Sequence, residues 1–178
     1  MKRIFLLSVL WVLALSSNAQ SSKFQQTMQA NVVRFDSVKT PEDYIGLAAS
    51  FERVADAEKT QWLPYYYAAL ANILRGFSDV KADKDQVAET ADVLIAKAEA
   101  IEPKNSEIFL LKSMTATLHM LVDPQSRWQQ YGAAVNENRE KAKQLDPNNP
   151  RVYFLEAQNI FGTPKEFGGG KDKARPLF

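Results

Sequence analysis

The chain has 178 residues, 46% hydrophobic and 24% charged, a globular mix with room for one domain and a short leader. Its formal net charge of +1 supplies no field for steering nucleic acid or an anionic membrane surface. The lack of cysteine excludes disulfides, thiolate nucleophiles and cysteine-held metals, and a lone histidine, His119, excludes a histidine-rich metal site.

At the start, Lys2 and Arg3 precede an apolar run over residues 4–15, and Ser17-Asn18-Ala19 follows. A charged segment, an apolar core of about a dozen residues and small residues three apart predict a signal peptide over 1–19, cleaved between Ala19 and Gln20. The run is shorter than the ~20 residues of a membrane-spanning helix. The expectation is an exported protein of the bacterial periplasm, or a secreted one, with no stable membrane span after cleavage. Loss of Lys2 and Arg3 takes the formal charge from +1 to −1.

Residues 20–40 read as a linker and helix, the helix lying over about 22–36. Residues 41–178 read as one helical domain. Alanine, leucine, glutamate and lysine are plentiful and favour helix. Helices are expected over about 41–57, 61–75, 85–101, 106–121, 127–145 and 150–161. Gly168-Gly169-Gly170 then opens a last, short helix. The fold class is all-α.

Two stretches share a pattern 44 residues apart. Ala98 to Asn105 and Ala142 to Asn149 each end a helix with an apolar residue, an acid and a stopping proline, Pro103 or Pro147. Asn105 and Asn149 are placed to cap the next helix. The same offset aligns Tyr65, Phe109 and Tyr153, each followed four residues later by a small one, Ala69, Ser113 or Ala157. Ala91, Ile95, Ala98 and Pro103 are matched by Val135, Arg139, Ala142 and Pro147, where Arg139 stands in place of a bulky apolar residue.

This pattern resembles the tetratricopeptide repeat, a helix-pair unit with a large residue early in its first helix, a small one four later, and a closing proline. The resemblance implies an antiparallel helix-pair solenoid. The period here is 44 residues against the usual ~34, so longer helices or loops must absorb about ten residues per unit. The last unit lacks most of its second helix, as in a piece of a longer chain. An exported helical-repeat chain with a glycine run before its last helix also resembles the T-component family of tripartite periplasmic transporters, which implies a small-ligand carrier.

No motif for chemistry survives inspection. Gly170-Lys171 fails as a phosphate loop, because Lys165 and Asp172 stand where glycine and serine or threonine are required. The glycine run reads instead as a turn needing positive φ. Glu52, Asp56 and Glu58 read as a solvated helix face. His119 reads as a helix-end residue facing the dipole's negative pole, and no G-x-S-x-G elbow offers it a serine. No catalytic, cofactor-binding or metal-binding residue is expected, and the chain is not expected to be an enzyme.

The tyrosines at 65, 66 and 67 span roughly 200° of helix surface, wider than an ordinary apolar stripe. By position, the tetratricopeptide resemblance implies a concave groove lined by Leu63, Tyr66 and Leu70, with Leu74 beyond them. Leu110 and Met114 continue it beside Glu107 and Thr117. Phe154 and Gln158 complete it, between Arg151 and Phe161. The function this implies is an exported interaction module that holds a peptide or protein partner in an apolar groove. The alternative is a periplasmic carrier of a small apolar ligand, of the T-component kind.

Overall fold

Short polar side chains and prolines set the starts of the helices. Thr40 accepts from the Asp43 amide while the Asp43 carboxylate accepts from the Thr40 amide, a reciprocal cap ahead of Pro41. Asp83, Asn105, Asp123 and Asn149 each accept a first-turn amide in the same way. Pro41, Pro124 and Pro150 occupy first-turn positions, where a missing N–H costs nothing.

The computed structural model describes residues 22–177, and these form helices without strands. The expected signal segment and its Ala19–Gln20 cleavage point lie outside the described residues. Helix α1 covers 22–34 and runs into a 3₁₀ turn at Phe35–Ser37. Then follow α2 (Pro41–Ala57), α3 (Trp62–Ser78), α4 (Lys84–Ile101), α5 (Ser106–Val122), α6 (Pro124–Leu145), α7 (Pro150–Gly162) and the one-turn α8 (Lys171–Ala174). Helix α3 extends three residues beyond its expected end at Arg75. Helix α6 begins three residues before its expected start at Arg127, because the Asp123 cap and Pro124 nucleate it directly behind α5. Longer helices, rather than longer loops, absorb the wide spacing.

Short connections bring each helix back alongside its predecessor, so α2 packs on α3, α3 on α4, α4 on α5 and α5 on α6. Helix α3 also touches α5. The main core lies among α1 to α5. Phe51 and Leu47 from α2 are fully buried there with Ile73, Ile95, Ile108 and Leu118. Phe51 stacks on both Phe35 and Tyr67, at ring separations of 5.8 and 5.1 Å, and those two rings also meet each other. Gly76 permits close packing of α3 on its neighbours, since a Cβ there would lie 2.9 Å from Leu118 Cδ1 and 3.1 Å from Val87 Cγ1.

Helix α7 joins through a second, smaller cluster of Leu110, Ala142 and Val152. The glycine run behaves as the turn expected of it. Gly168 and Gly170 have φ of 88° and 107°, and a Cβ on Gly169 would meet the Thr163 carbonyl oxygen at 2.2 Å. The run folds back on α7, with the Gly170 amide donating to the Ile160 carbonyl.

Candidate ligand site

Beyond the Leu110–Ala142–Val152 cluster, helices α3, α5, α6 and α7 border a cavity of about 520 Å³. This lies within the range of small-molecule sites, roughly 300–1,000 Å³. Helix α5 supplies its floor. Ser113, Met114, Thr117, Met120 and Leu121 fall at helical spacing on one face. Leu74 and Phe77 enter from the end of α3, and Val135 and Arg139 from α6. Leu155, Gln158, Asn159 and Gly162 of α7, with Thr163 beyond it, form the opposite wall.

Several of the cavity's hydroxyls are engaged by backbone. Thr117 donates to the Ser113 carbonyl, Ser113 to the Val135 carbonyl and Thr163 to the Asn159 carbonyl. What remains is mostly hydrocarbon and two thioethers, with the side chains of Arg139, Gln158 and Asn159 as the other polar groups. Phe77 and Leu121 stand at the edge with 40% and 41% of their surface exposed, so the apolar lining continues outward. Exposed apolar surface beside a concave site marks a place where apolar ligands bind.

The α7 wall is held by a polar cluster at its N-terminus. Tyr66 donates to Glu107 Oε2 at 2.9 Å, and Asn149 Nδ2 donates to Glu107 Oε1 at 2.7 Å and to Ser106 Oγ at 3.0 Å. Arg151 pairs with Glu107 and donates to the Tyr66 hydroxyl. Burial, then the nearby Glu107 carboxylate, pushes the Tyr66 hydroxyl far above the ordinary phenol value, so it stays a neutral donor. Replacing Glu107 with alanine leaves Tyr66, Asn149 and Arg151 short of their shared acceptor. It should cost about 2 kcal/mol of stability and raise hydrogen exchange along α7, with Glu107→Gln intermediate. Unchanged exchange in α7 would remove the cluster from this role.

His119 lies in the last turn of α5, as expected, but its partners are side chains of α4 rather than the helix end. Nδ1 meets Asp85 Oδ1 at 2.7 Å, and Nε2 meets Asp92 Oδ2 at 3.4 Å. Arg127 bonds both oxygens of Asp85, and Tyr131 stacks on the imidazole at 5.0 Å. Hydrogen bonds from Arg127 first and His119 second hold the Asp85 carboxyl below its ordinary value. Its contribution to stability is therefore present at neutral pH and fades as pH falls below the usual carboxylate range. Both ring nitrogens are engaged, and His119 does not line the cavity. Among the described residues no group of three or more histidine or acidic side chains could hold a metal ion.

The cavity coincides with part of the groove expected from sequence. Met114 and Gln158 line it, with Leu74 and Thr117. Tyr66 and Leu110 are instead buried, at 4% and 2% exposure, because α3 touches α5 directly and the Glu107 cluster fills the space between them and α7. Leu63 and Leu70 are half-buried against the main core. Phe154 is 49% exposed on α7, outside the cavity lining. The sequence reading missed Phe77, Met120, Leu121 and Leu155 as lining residues. The first three continue the periodic stripes of Leu74 on α3 and of Met114 and Thr117 on α5, a signal the 44-residue alignment overshadowed.

No family model matches the chain, and no curated protein does. Among solved structures it is similar to the HusA haemophore from Porphyromonas gingivalis, with a TM-score of 0.77 and 42% sequence identity. The match covers 86% of this chain and 76% of that one. This finding overturns both the tetratricopeptide and the T-component resemblance. Small residues at close helix contacts and prolines beyond helix ends recur in packed helices of many folds, so they do not single out those families. The peptide-binding module inferred from the first resemblance is corrected with it.

Proposed function

We propose that this chain, which belongs to the HusA haemophore family, is a carrier whose cargo is haem or a closely related tetrapyrrole. The supporting observation is an apolar cavity of about 520 Å³ in a chain 42% identical to a haemophore. A flat macrocycle offers two apolar faces, and the side chains of Leu74, Met114, Met120 and Leu155 offer apolar surface to receive them. The proposal is nearest to the small-ligand alternative read from the sequence.

The residues present fit the porphyrin ring better than its iron. His119 is tied to Asp85 and Asp92, and the soft donors in the cavity lining are the thioethers of Met114 and Met120. Affinity then comes from desolvating the ring faces rather than from a histidine–iron bond. His119→Ala should change haem affinity by less than about threefold, a shift of under ~0.7 kcal/mol. A Soret titration of wild type and variant measures this. Loss of binding in His119→Ala would assign the iron to histidine. Failure of the wild type to give a saturable Soret change with haemin would end the haem reading.

Export belongs to the same proposal. Residues 1–19 would be removed after Ala19, leaving Gln20 first, and the domain over 41–178 would act outside the cytoplasm. The stacked helix pairs with their 44-residue step would form one curved array with the cavity on its inner side. No helix among the described residues is long and apolar enough to cross a membrane.

A further inference from the structure

Among the described residues Arg139 is the one charged side chain in the cavity lining. Its position is the misfit in the sequence, a cation where the 44-residue alignment pairs it with the apolar Ile95. Arg139 is only partly exposed, and its Nε is buried without a hydrogen-bond partner. Among the described residues Asn31 Nδ2 and Arg75 Nε share that condition, but neither residue lines the cavity. Asn136 Oδ1 accepts from Arg139 Nη2 at 2.7 Å and helps to fix the guanidinium.

A buried N–H without an acceptor is costly, and a guanidinium on a residue that lines an apolar cavity is suited to receive an anion. The planar fork of Nε–H and a neighbouring N–H matches the two oxygens of a carboxylate. Among the described residues no acidic side chain lines the cavity to compete. Resting on the tetrapyrrole reading above, we propose that Arg139 is a carboxylate subsite that pairs with a propionate of the bound macrocycle and sets its orientation. The ring would lie among Met114, Met120 and Leu155, with one carboxylate directed at α6.

The test uses iron-free protoporphyrin IX and its dimethyl ester, titrated by fluorescence into wild type, Arg139→Gln and Arg139→Lys. The wild type should bind the diacid about 10- to 100-fold more tightly than the diester, the range for a hydrogen-bonded charge pair. Arg139→Gln should lose that preference while keeping its affinity for the diester, which also shows that it folds. Arg139→Lys should keep part of the preference, as a point charge without the fork. Equal binding of diacid and diester by the wild type would overturn the subsite and leave the carrier function standing. So would an undiminished preference in Arg139→Gln. Binding of neither compound by the wild type would overturn the carrier function and the subsite together.

Discussion

Thr117→Trp should weaken haem binding by about 100-fold or more, a loss of ~2.7 kcal/mol, while leaving the helical circular dichroism spectrum unchanged. Thr117 sits in the middle of the α5 stripe, flanked along the helix by Met114 and Met120, and all three line the cavity. An indole at this position occupies the space that a macrocycle needs. The lost Thr117 bond to the Ser113 carbonyl is a local side-chain contact within one helix, so the fold should tolerate the change. The same substitution on the far side of the bundle, at Glu89 on α4, provides the control. Glu89 is exposed and lies outside the cavity, and its variant should titrate like wild type. Equal affinity in Thr117→Trp would place the ligand elsewhere.

Phe51→Ala should be the most destabilising single truncation, at about 4 kcal/mol. Phe51 is fully buried in the main core and stacked against both Phe35 and Tyr67. Its removal loses the transfer energy of the ring, leaves a void and breaks two aromatic contacts that together tie the 3₁₀ turn after α1 to α2 and α3. Denaturant unfolding followed by circular dichroism measures the loss. Because the cavity is built from α3, α5, α6 and α7, the folded fraction of Phe51→Ala should still bind haem with near-normal affinity. A loss below about 1 kcal/mol would mean that the aromatic stack is not the centre of this core.

The helices were readable because their ends are written in local chemistry. Asn105 and Asn149 cap the helices they precede, and Pro103 and Pro147 follow the ends of theirs. The start of α6 was placed three residues late because a single residue, Asp123, joins it to α5, a shorter connection than the wide repeat spacing suggested. Gly168 and Gly170 were legible as a turn because their positive φ leaves little choice of residue.

The site was only partly legible, for a different reason. Met114 and Gln158 lie 44 residues apart and meet across a space that α3 and α6 also border. No local pattern states how far α7 stands from α5, so the same alignment also put Tyr66 and Leu110 in the groove, where packing has buried them. Arg139 was visible as an anomaly, and its meaning needs the cavity around it. The proposed carrier, gripping the ring and not the iron, would need no histidine or cysteine motif. Composition therefore pointed away from metals, and the 44-residue pattern, through the shared physics of packed helices, pointed toward the wrong family.

The central claim is that the macrocycle sits between α5 and α7. Methyl-resolved NMR of the mature protein with iron-free protoporphyrin IX tests it most directly, because ring currents shift the methyls that contact the ring. The account predicts large shifts for Leu74, Met114, Met120 and Leu155 and none for the core methyls of Leu47 and Ile95. Shifts confined to α1 and α2, or saturable binding that leaves the four cavity methyls unmoved, would contradict it.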